Sequence, residues 1–115
     1  MTPLLYHNPR CSKSRATLAL LQERGIDPDI VLYLETPPTP ETLRELLSLL
    51  GITARELIRT GEKEYREQGL DNPELSDDEL IDALHRFPRL IERPILVANG
   101  KARIGRPPES VTEII

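Results

Sequence analysis

The sequence predicts an α/β fold whose mixed sheet combines a βαβ segment and a ββα segment, with helices between them. Three patterns lead to this prediction: a strand–helix–strand order over residues 3–34, capped helical stretches in the middle, and an Asn-Gly turn pair near the end. A chain of 115 residues is long enough for one domain with its own core, so we expect a single domain over residues 1–115.

The first part of the sheet is predicted from three consecutive elements. Residues Pro3–Tyr6 suit a short buried strand, and Lys13–Arg24 has a helical pattern that stops at Gly25, a usual residue after a helix. Ile30–Leu34 is a continuous apolar run, typical of a strand buried on both faces. Such a crossover is almost always right-handed, and its two strands are parallel.

The middle of the chain, at about residues 39–90, predicts a helical insertion between the two parts of the sheet. Thr39 before Pro40 has the sequence of a helix N-cap followed by proline at the first helical position. Capping-box sequences at Thr53–Glu56 and Ser76–Glu79 predict two further helix starts.

The C-terminal part returns to β structure. Ile95–Ala98 and Lys101–Ile104 flank Asn99-Gly100, the preferred residue pair of a type I′ hairpin turn. A last short helix is predicted after Pro107-Pro108. The complete order, βαβ, helices and ββα, is that of a thioredoxin-like sheet with a helical insertion between its halves.

Composition narrows the functional classes. The formal net charge of -4 argues against a nucleic-acid-binding protein, which needs a basic face. We expect no membrane segment and no signal peptide, because no 18-residue apolar run or charged-then-apolar N-terminus occurs. A single cysteine suits a reducing compartment, so a cytoplasmic location is expected.

That cysteine, Cys11, lies between the first predicted strand and the following helix. A helix N-terminus and nearby cations favour thiolate over thiol, and the first backbone N–H groups of the helix and Ser14 can donate to the sulfur. The side chains expected to add positive potential are His7, Arg10, Lys13 and Arg15. A buried structural cysteine is the alternative, but no apolar pattern runs through residues 7–15. Because Ser14 replaces the second cysteine of Cys-x-x-Cys, any redox cycle needs a thiol from another molecule.

Two arginines occupy the ends of the predicted hairpin. Arg93-Pro94 precedes its first strand and Arg106-Pro107 follows its second. A two-residue turn brings these ends together, so both guanidinium groups are expected at one edge of the sheet. A pair of forked donors suits a tetrahedral oxyanion, although a single arginine considered alone is more often a solvated surface residue.

Four segments in fixed order resemble the glutaredoxin-dependent arsenate reductases, and the similarity covers essentially the whole chain. These segments are Tyr6–Arg15, Tyr33–Pro38, Glu92–Ile95 and Gly105–Pro107. The chain looks like the short bacterial branch of that family, which ends just after the Arg-Pro-Pro-Glu helix.

The resemblance implies a thioredoxin-like fold and reduction of arsenate to arsenite, with glutathione as co-substrate, glutaredoxin as partner, and no metal or tightly bound cofactor. It assigns the nucleophile to Cys11 and implies that Arg59 brings the insertion over the site as a partial lid. It further implies that His7 and Ser14 favour the thiolate and that Arg59, Arg93 and Arg106 bind the oxyanion. Asn8 is implied as a supporting residue and Pro94 as a cis proline.

Two other functions remain open at this point. A monothiol, glutathione-dependent thiol oxidoreductase would use the same thiolate without an oxyanion pocket. A polymerase-binding redox regulator is the other alternative, but the oxidation switch of such proteins is a Cys-x-x-Cys pair, which Ser14 removes here.

Overall fold

The structure is a computed structural model that describes residues 2–115. The chain forms two compact units: the described residues up to Thr36 together with Arg93–Ile115 make one, and Pro37–Glu92 make the other. We call them the sheet unit and the helical unit. Among the described residues, none of the helices has the length and hydrophobicity that a transmembrane span requires.

The sheet unit contains a four-stranded mixed sheet in the order β2-β1-β3-β4. The strands are β1 (Leu4–Tyr6), β2 (Asp29–Val31), β3 (Ile95–Ala98) and β4 (Lys101–Ile104). β1 is parallel to β2 and antiparallel to β3, and β4 pairs antiparallel with β3. Helix α1 (Ser12–Glu23) connects β1 to β2, and a 3-10 helix (Pro108–Ile114) follows β4. The predicted thioredoxin-like fold is confirmed.

The core of the sheet unit lies between the sheet, α1 and the C-terminal 3-10 helix. Its buried members are Leu5, Leu21, Leu96, Ala98, Val111 and Ile114. Leu5 and Leu21 expose no surface, and each buried leucine side chain stabilises the fold by about 1.5–3 kcal/mol. The core therefore fixes α1 against the sheet and, with it, the loop that precedes the helix.

The hairpin forms as the sequence predicts. Asn99 and Gly100 both have positive φ, at 54° and 75°, as a type I′ turn requires. The Asn99 side-chain amide also donates to the carbonyl of Ile114 at 2.7 Å. The turn is thus tied to the C-terminal 3-10 helix.

The prediction for the second strand is wrong in length and burial. β2 ends at Val31, and Ile30 is 42% exposed although the apolar run predicted a strand buried on both faces. The reason lies in the tertiary structure: within the described residues β2 is an edge strand, and β1 is its one neighbour in the sheet. After it the chain turns, because the N–H groups of Glu35 and Thr36 both donate to the carbonyl of Leu32 at 2.9 Å.

The helical unit contains four α-helices and one short 3-10 helix within the described residues. They are α2 (Pro40–Leu50), α3 (Ala54–Leu57), α4 (Lys63–Glu67), α5 (Asp77–Arg86) and the 3-10 helix Pro88–Leu90. Thr39 caps α2, and both predicted capping boxes are present, at Thr53 and Ser76. Local capping chemistry therefore sets the helix starts in this unit, as predicted.

Candidate active site

The loop of residues 7–11 joins β1 to α1 and is folded by its own polar groups. The Cys11 N–H donates to the Asn8 carbonyl at 3.0 Å, while the Asn8 side-chain oxygen accepts from the Arg10 N–H, also at 3.0 Å. Cys11 is the N-cap residue of α1, with extended backbone angles (φ -94°, ψ 123°) and a half-buried free thiol. The loop therefore holds the thiol at the start of the helix.

The sulfur, however, accepts no capping hydrogen bond from the first turn of α1 in the described part of the chain. The sequence-based expectation that N–H groups of the helix donate to Cys11 is thus not met in this conformation. What remains is the field of the helix terminus and of the nearby cations, which favours an anion without a direct hydrogen bond.

Ser14, in α1, connects the helix to the loop of residues 7–11 through its buried hydroxyl. Its Oγ accepts the Asn8 backbone N–H at 3.0 Å and lies 2.6 Å from Nδ1 of His7. A hydroxyl has one proton and two acceptor positions, so these two contacts use most of its capacity. Three predicted site residues, His7, Asn8 and Ser14, therefore form one network beside Cys11 in the chain.

His7 differs electrostatically from the sequence-based expectation. Burial lowers the pKa of its imidazole below 6.5, and the nearby Arg15 guanidinium lowers it further. The ring is consequently neutral near pH 7. It serves as a hydrogen-bond partner of Ser14 rather than as a source of positive potential.

The permanent cations of this segment are exposed. Arg15 donates from Nη1 to the Pro9 carbonyl at 2.9 Å, which stabilises the loop. Within residues 2–115, Arg10, Lys13 and Arg15 form no ion pair with a carboxylate. Their positive charge therefore remains uncompensated around Cys11.

The two hairpin arginines meet as the topology predicted. Tyr6 pairs with Ile95, so the chain entering β3 reaches the sheet at the edge where the Cys11 loop begins. Arg106 donates from Nε to the carbonyl of Arg93 at 2.9 Å. The Arg93–Pro94 bond is cis, as the resemblance implied; the Arg106–Pro107 bond is also cis, which the sequence did not predict.

Arg93 carries a buried donor that nothing satisfies. Its Nε has no hydrogen-bond partner in the described structure. A buried polar group left in this condition costs about 1–3 kcal/mol. An oxyanion bound at this edge of the sheet would remove that cost, so the arrangement favours an anionic ligand.

Gly105 is a site residue that sequence reasoning missed. A Cβ at this position would lie 2.5 Å from Oγ1 of Thr17 and 2.8 Å from Cγ of Pro94, closer than atoms can pack. Its N–H donates to the Pro94 carbonyl at 2.9 Å. Gly105 thus lets α1, the entry to β3 and the exit of β4 approach each other, and its place immediately before Arg106-Pro107 was the available signal.

Arg59, the third predicted oxyanion ligand, belongs to the helical unit. Its Nη1 donates to Oε1 of Glu62 at 2.9 Å. The other carboxylate oxygen of Glu62 accepts a hydrogen bond from Nη2 of Arg89 at 3.3 Å. Glu62 was not predicted from the sequence. The three-residue spacing between Arg59 and Glu62 was the signal that could have found it.

An open cleft of ≈ 410 Å³ lies beside the loop in the sheet unit. Its lining residues are His7, Asn8, Pro9, Arg10, Leu32, Leu34 and Glu35. No group of three His, Cys, Asp or Glu side chains placed to hold a metal ion occurs in residues 2–115.

Fold and site together define a thioredoxin-like protein with one cysteine in the loop after β1 and two arginines at the neighbouring hairpin ends. The chain belongs to the ArsC family, whose model matches residues 6–114.

Individual relatives are similar over almost the whole chain. It is 60% identical over 112 residues to "Uncharacterized protein YfgD" of Escherichia coli K12, covering 96% of this chain and 94% of that protein. It is 49% identical over 112 residues to an arsenate reductase of Neisseria meningitidis serogroup A, covering 96% of both. The solved structure of an arsenate reductase from Vibrio cholerae matches with a TM-score of 0.97 and 52% identity, covering 100% of this chain and 98% of that one.

Proposed function

We propose that this protein is an arsenate reductase that uses Cys11 as its single nucleophile. The observation that carries the proposal is the pairing of a free thiol at a helix N-terminus with Arg93 and Arg106 at the same edge of the sheet. The unsatisfied Nε of Arg93 is suited to an anion, and arsenate is a tetrahedral oxyanion. Relatives named arsenate reductase, at 47–52% identity over nearly the full chain, support this choice of substrate.

The arginines bind and neutralise the substrate. Near neutral pH arsenate is mostly a dianion, which repels an anionic sulfur. Forked guanidinium donors match two oxygens of such an anion and offset its charge. We assign this role to Arg93 and Arg106 and extend it to Arg59, whose Glu62 partner already occupies one of its donors.

The first chemical step joins sulfur to arsenic. The Cys11 thiolate attacks arsenate, an S–As bond forms, and one oxygen leaves as hydroxide or water, so arsenic remains in oxidation state V. The buried hydrogen bonds of Ser14 to His7 and to the Asn8 backbone keep the loop in place while the adduct forms. Neutral His7 contributes to this step through its bond with Ser14.

The reducing electrons come from outside the chain, because Cys11 is its only cysteine. Glutathione replaces another oxygen on arsenic as a thiolate ligand. The thiolate of glutaredoxin then attacks the glutathione sulfur; the S–As bond to glutathione breaks and its electron pair passes to arsenic, giving As(III). Glutaredoxin leaves as a mixed disulfide with glutathione, and water releases arsenite from Cys11.

No step in this cycle uses a metal or a tightly bound cofactor. A thiol-dependent cycle with a free catalytic cysteine operates in a reducing compartment. We therefore place the reaction in the cytoplasm.

The test is turnover of arsenate with glutathione and glutaredoxin, comparing the wild type with Cys11→Ser. We expect loss of at least about a thousandfold in kcat, because the nucleophile is gone, with an unchanged melting temperature. Ser12→Ala, one residue away and exposed, is the matched control and should retain activity.

Arsenate turnover by Cys11→Ser, or unfolding of that variant, would contradict the proposal. A wild type that reduces small glutathione mixed disulfides and leaves arsenate untouched would instead identify a thiol oxidoreductase.

A further inference from the structure

The cleft beside the Cys11 loop combines an apolar wall with one exposed cation. Leu34, which contributes to that wall, is 39% exposed, an uncommon condition for a large aliphatic side chain in this chain. Arg10, directly before Cys11, is exposed and also belongs to the lining. No step of the proposed chemistry uses Leu34, and Arg10 enters it only through the positive field around Cys11.

The Cys11 loop and the start of α1 carry charge of one sign, while the cleft lining itself has one permanent cation, Arg10, and one carboxylate. Residues 7–15 carry three permanent cations and no carboxylate, and none of the three is ion-paired within the described structure. Glu35 is the one carboxylate in the lining. An acidic surface would be attracted to this part of the molecule, and such attraction mainly accelerates association.

The size of the occupant follows from the position of Cys11. The thiol is not part of the cleft lining, although Arg10, its neighbour in the chain, is. A small thiol that filled the cleft would leave its sulfur away from Cys11. A protein can cover the cleft and reach the thiol beside it at the same time.

We propose that the cleft wall of Leu32 and Leu34, together with Arg10, docks the protein that supplies the reducing thiol. That partner has an acidic surface around its own reactive cysteine and an apolar side chain that packs on Leu34. The inference rests on the proposed use of an external thiol and identifies where that thiol donor binds.

The experiment isolates docking from arsenate chemistry. Wild-type protein is first converted with glutathione disulfide to the mixed disulfide between Cys11 and glutathione. Glutaredoxin thiolate then attacks the glutathione sulfur: the S–S bond to Cys11 breaks, Cys11 leaves as thiolate, and a glutaredoxin–glutathione disulfide forms. The same substrate is also reduced by dithiothreitol, a small uncharged thiol, whose rate reports the intrinsic reactivity of the disulfide.

Two substitutions test the surface, each with a matched control. Arg10→Glu and Leu34→Ser should each lower kcat/KM for glutaredoxin about tenfold relative to the dithiothreitol rate. Lys101→Glu, an exposed cation at the hairpin turn, and Ile30→Ser, exposed but outside the cleft, should change it less than about twofold. The wild-type glutaredoxin rate should also fall as salt is raised.

If the Arg10 and Leu34 variants have the same kcat/KM for glutaredoxin as their controls, the proposed docking surface is wrong. It is also wrong if reduction by glutaredoxin and by glutathione used alone as the reductant of the same mixed disulfide is slowed equally, which would make the cleft a subsite for the small thiol. Because no arsenate is present, absence of arsenate turnover would refute the proposed substrate while leaving this measurement interpretable.

Discussion

Two arginines at the site in the sheet unit are held differently from several arginines of the helical unit. At the site in the sheet unit, Arg15 and Arg106 donate to the backbone carbonyls of Pro9 and Arg93. In the helical unit several arginines pair with carboxylates, namely Arg44 with Asp78, Arg59 with Glu62 and Arg86 with Asp82, while Arg55 donates to backbone carbonyls. A carbonyl orients a guanidinium without cancelling its charge, whereas a carboxylate does both. Arg15, in the segment around Cys11, therefore keeps its capacity to attract an anion, whereas that of Arg59 is reduced.

The largest expected effect distinguishes Arg93 from Arg59. A charge-assisted hydrogen bond contributes about 1.5–3 kcal/mol, so Arg93→Ala should lower kcat/KM for arsenate about a hundredfold. Arg59→Ala should lower it about tenfold, because Glu62 already neutralises part of the charge. Steady-state kinetics with arsenate as the varied substrate measures both.

Arg103→Ala is the control for this comparison, since Arg103 lies in the same hairpin but faces Glu113 at 3.6 Å. It should retain nearly full activity. A greater loss for Arg59→Ala than for Arg93→Ala would reverse the contrast between the two units.

The second prediction concerns close packing, which also differs between the units. Gly105→Ala would push the chain against Thr17 and Pro94, and overpacking of this kind costs about 1–3 kcal/mol. We expect a lower free energy of unfolding and a decrease of about tenfold in kcat, because Arg106 and the start of β3 are displaced. Urea unfolding and turnover are the measurements.

Gly61→Ala in the helical unit is the matched substitution, because a Cβ there meets no atom within 4 Å. It should change the free energy of unfolding by less than about 0.5 kcal/mol. If Gly105→Ala and Gly61→Ala have the same free energy of unfolding and the same kcat, the close approach at Gly105 is not needed for stability or activity.

The comparison also shows what sequence reasoning could reach. Helix starts at Thr39, Thr53 and Ser76 and the turn at Asn99-Gly100 were predictable, because capping and turn chemistry act between residues close in the chain. The exposure of Ile30 was not predictable, since edge position depends on which strands pair across the whole unit.

At the site, topology was enough to bring Arg93 and Arg106 together. The contacts that involve Ser14 and Glu62 depend on side-chain direction and on burial in the folded chain, which residue spacing alone does not determine.

A smaller effect tests whether Arg59 binds the oxyanion. Glu62→Gln removes the negative charge but keeps an oxygen that can accept from Nη1 of Arg59. If Arg59 binds the oxyanion, its restored positive charge should lower KM for arsenate about threefold, the size expected for one partly exposed ion pair. Glu67→Gln, an exposed carboxylate in the same unit, should leave KM unchanged. An unchanged KM in both variants would remove Arg59 from the substrate site.

The smallest effect concerns the pH dependence of stability in the sheet unit. Because burial and Arg15 lower the pKa of His7 below 6.5, the unfolded chain binds this proton at a higher pH than the folded chain does. The contribution of neutral His7 to the free energy of unfolding is complete above about pH 6.5. It is lost as the pH falls toward the pKa of His7 in the folded state. Urea unfolding at pH 7.5 and at lower pH values should show this slope in the wild type and a shallower one in His7→Gln. A slope that persists in His7→Gln would assign the pH dependence of stability to another titrating group.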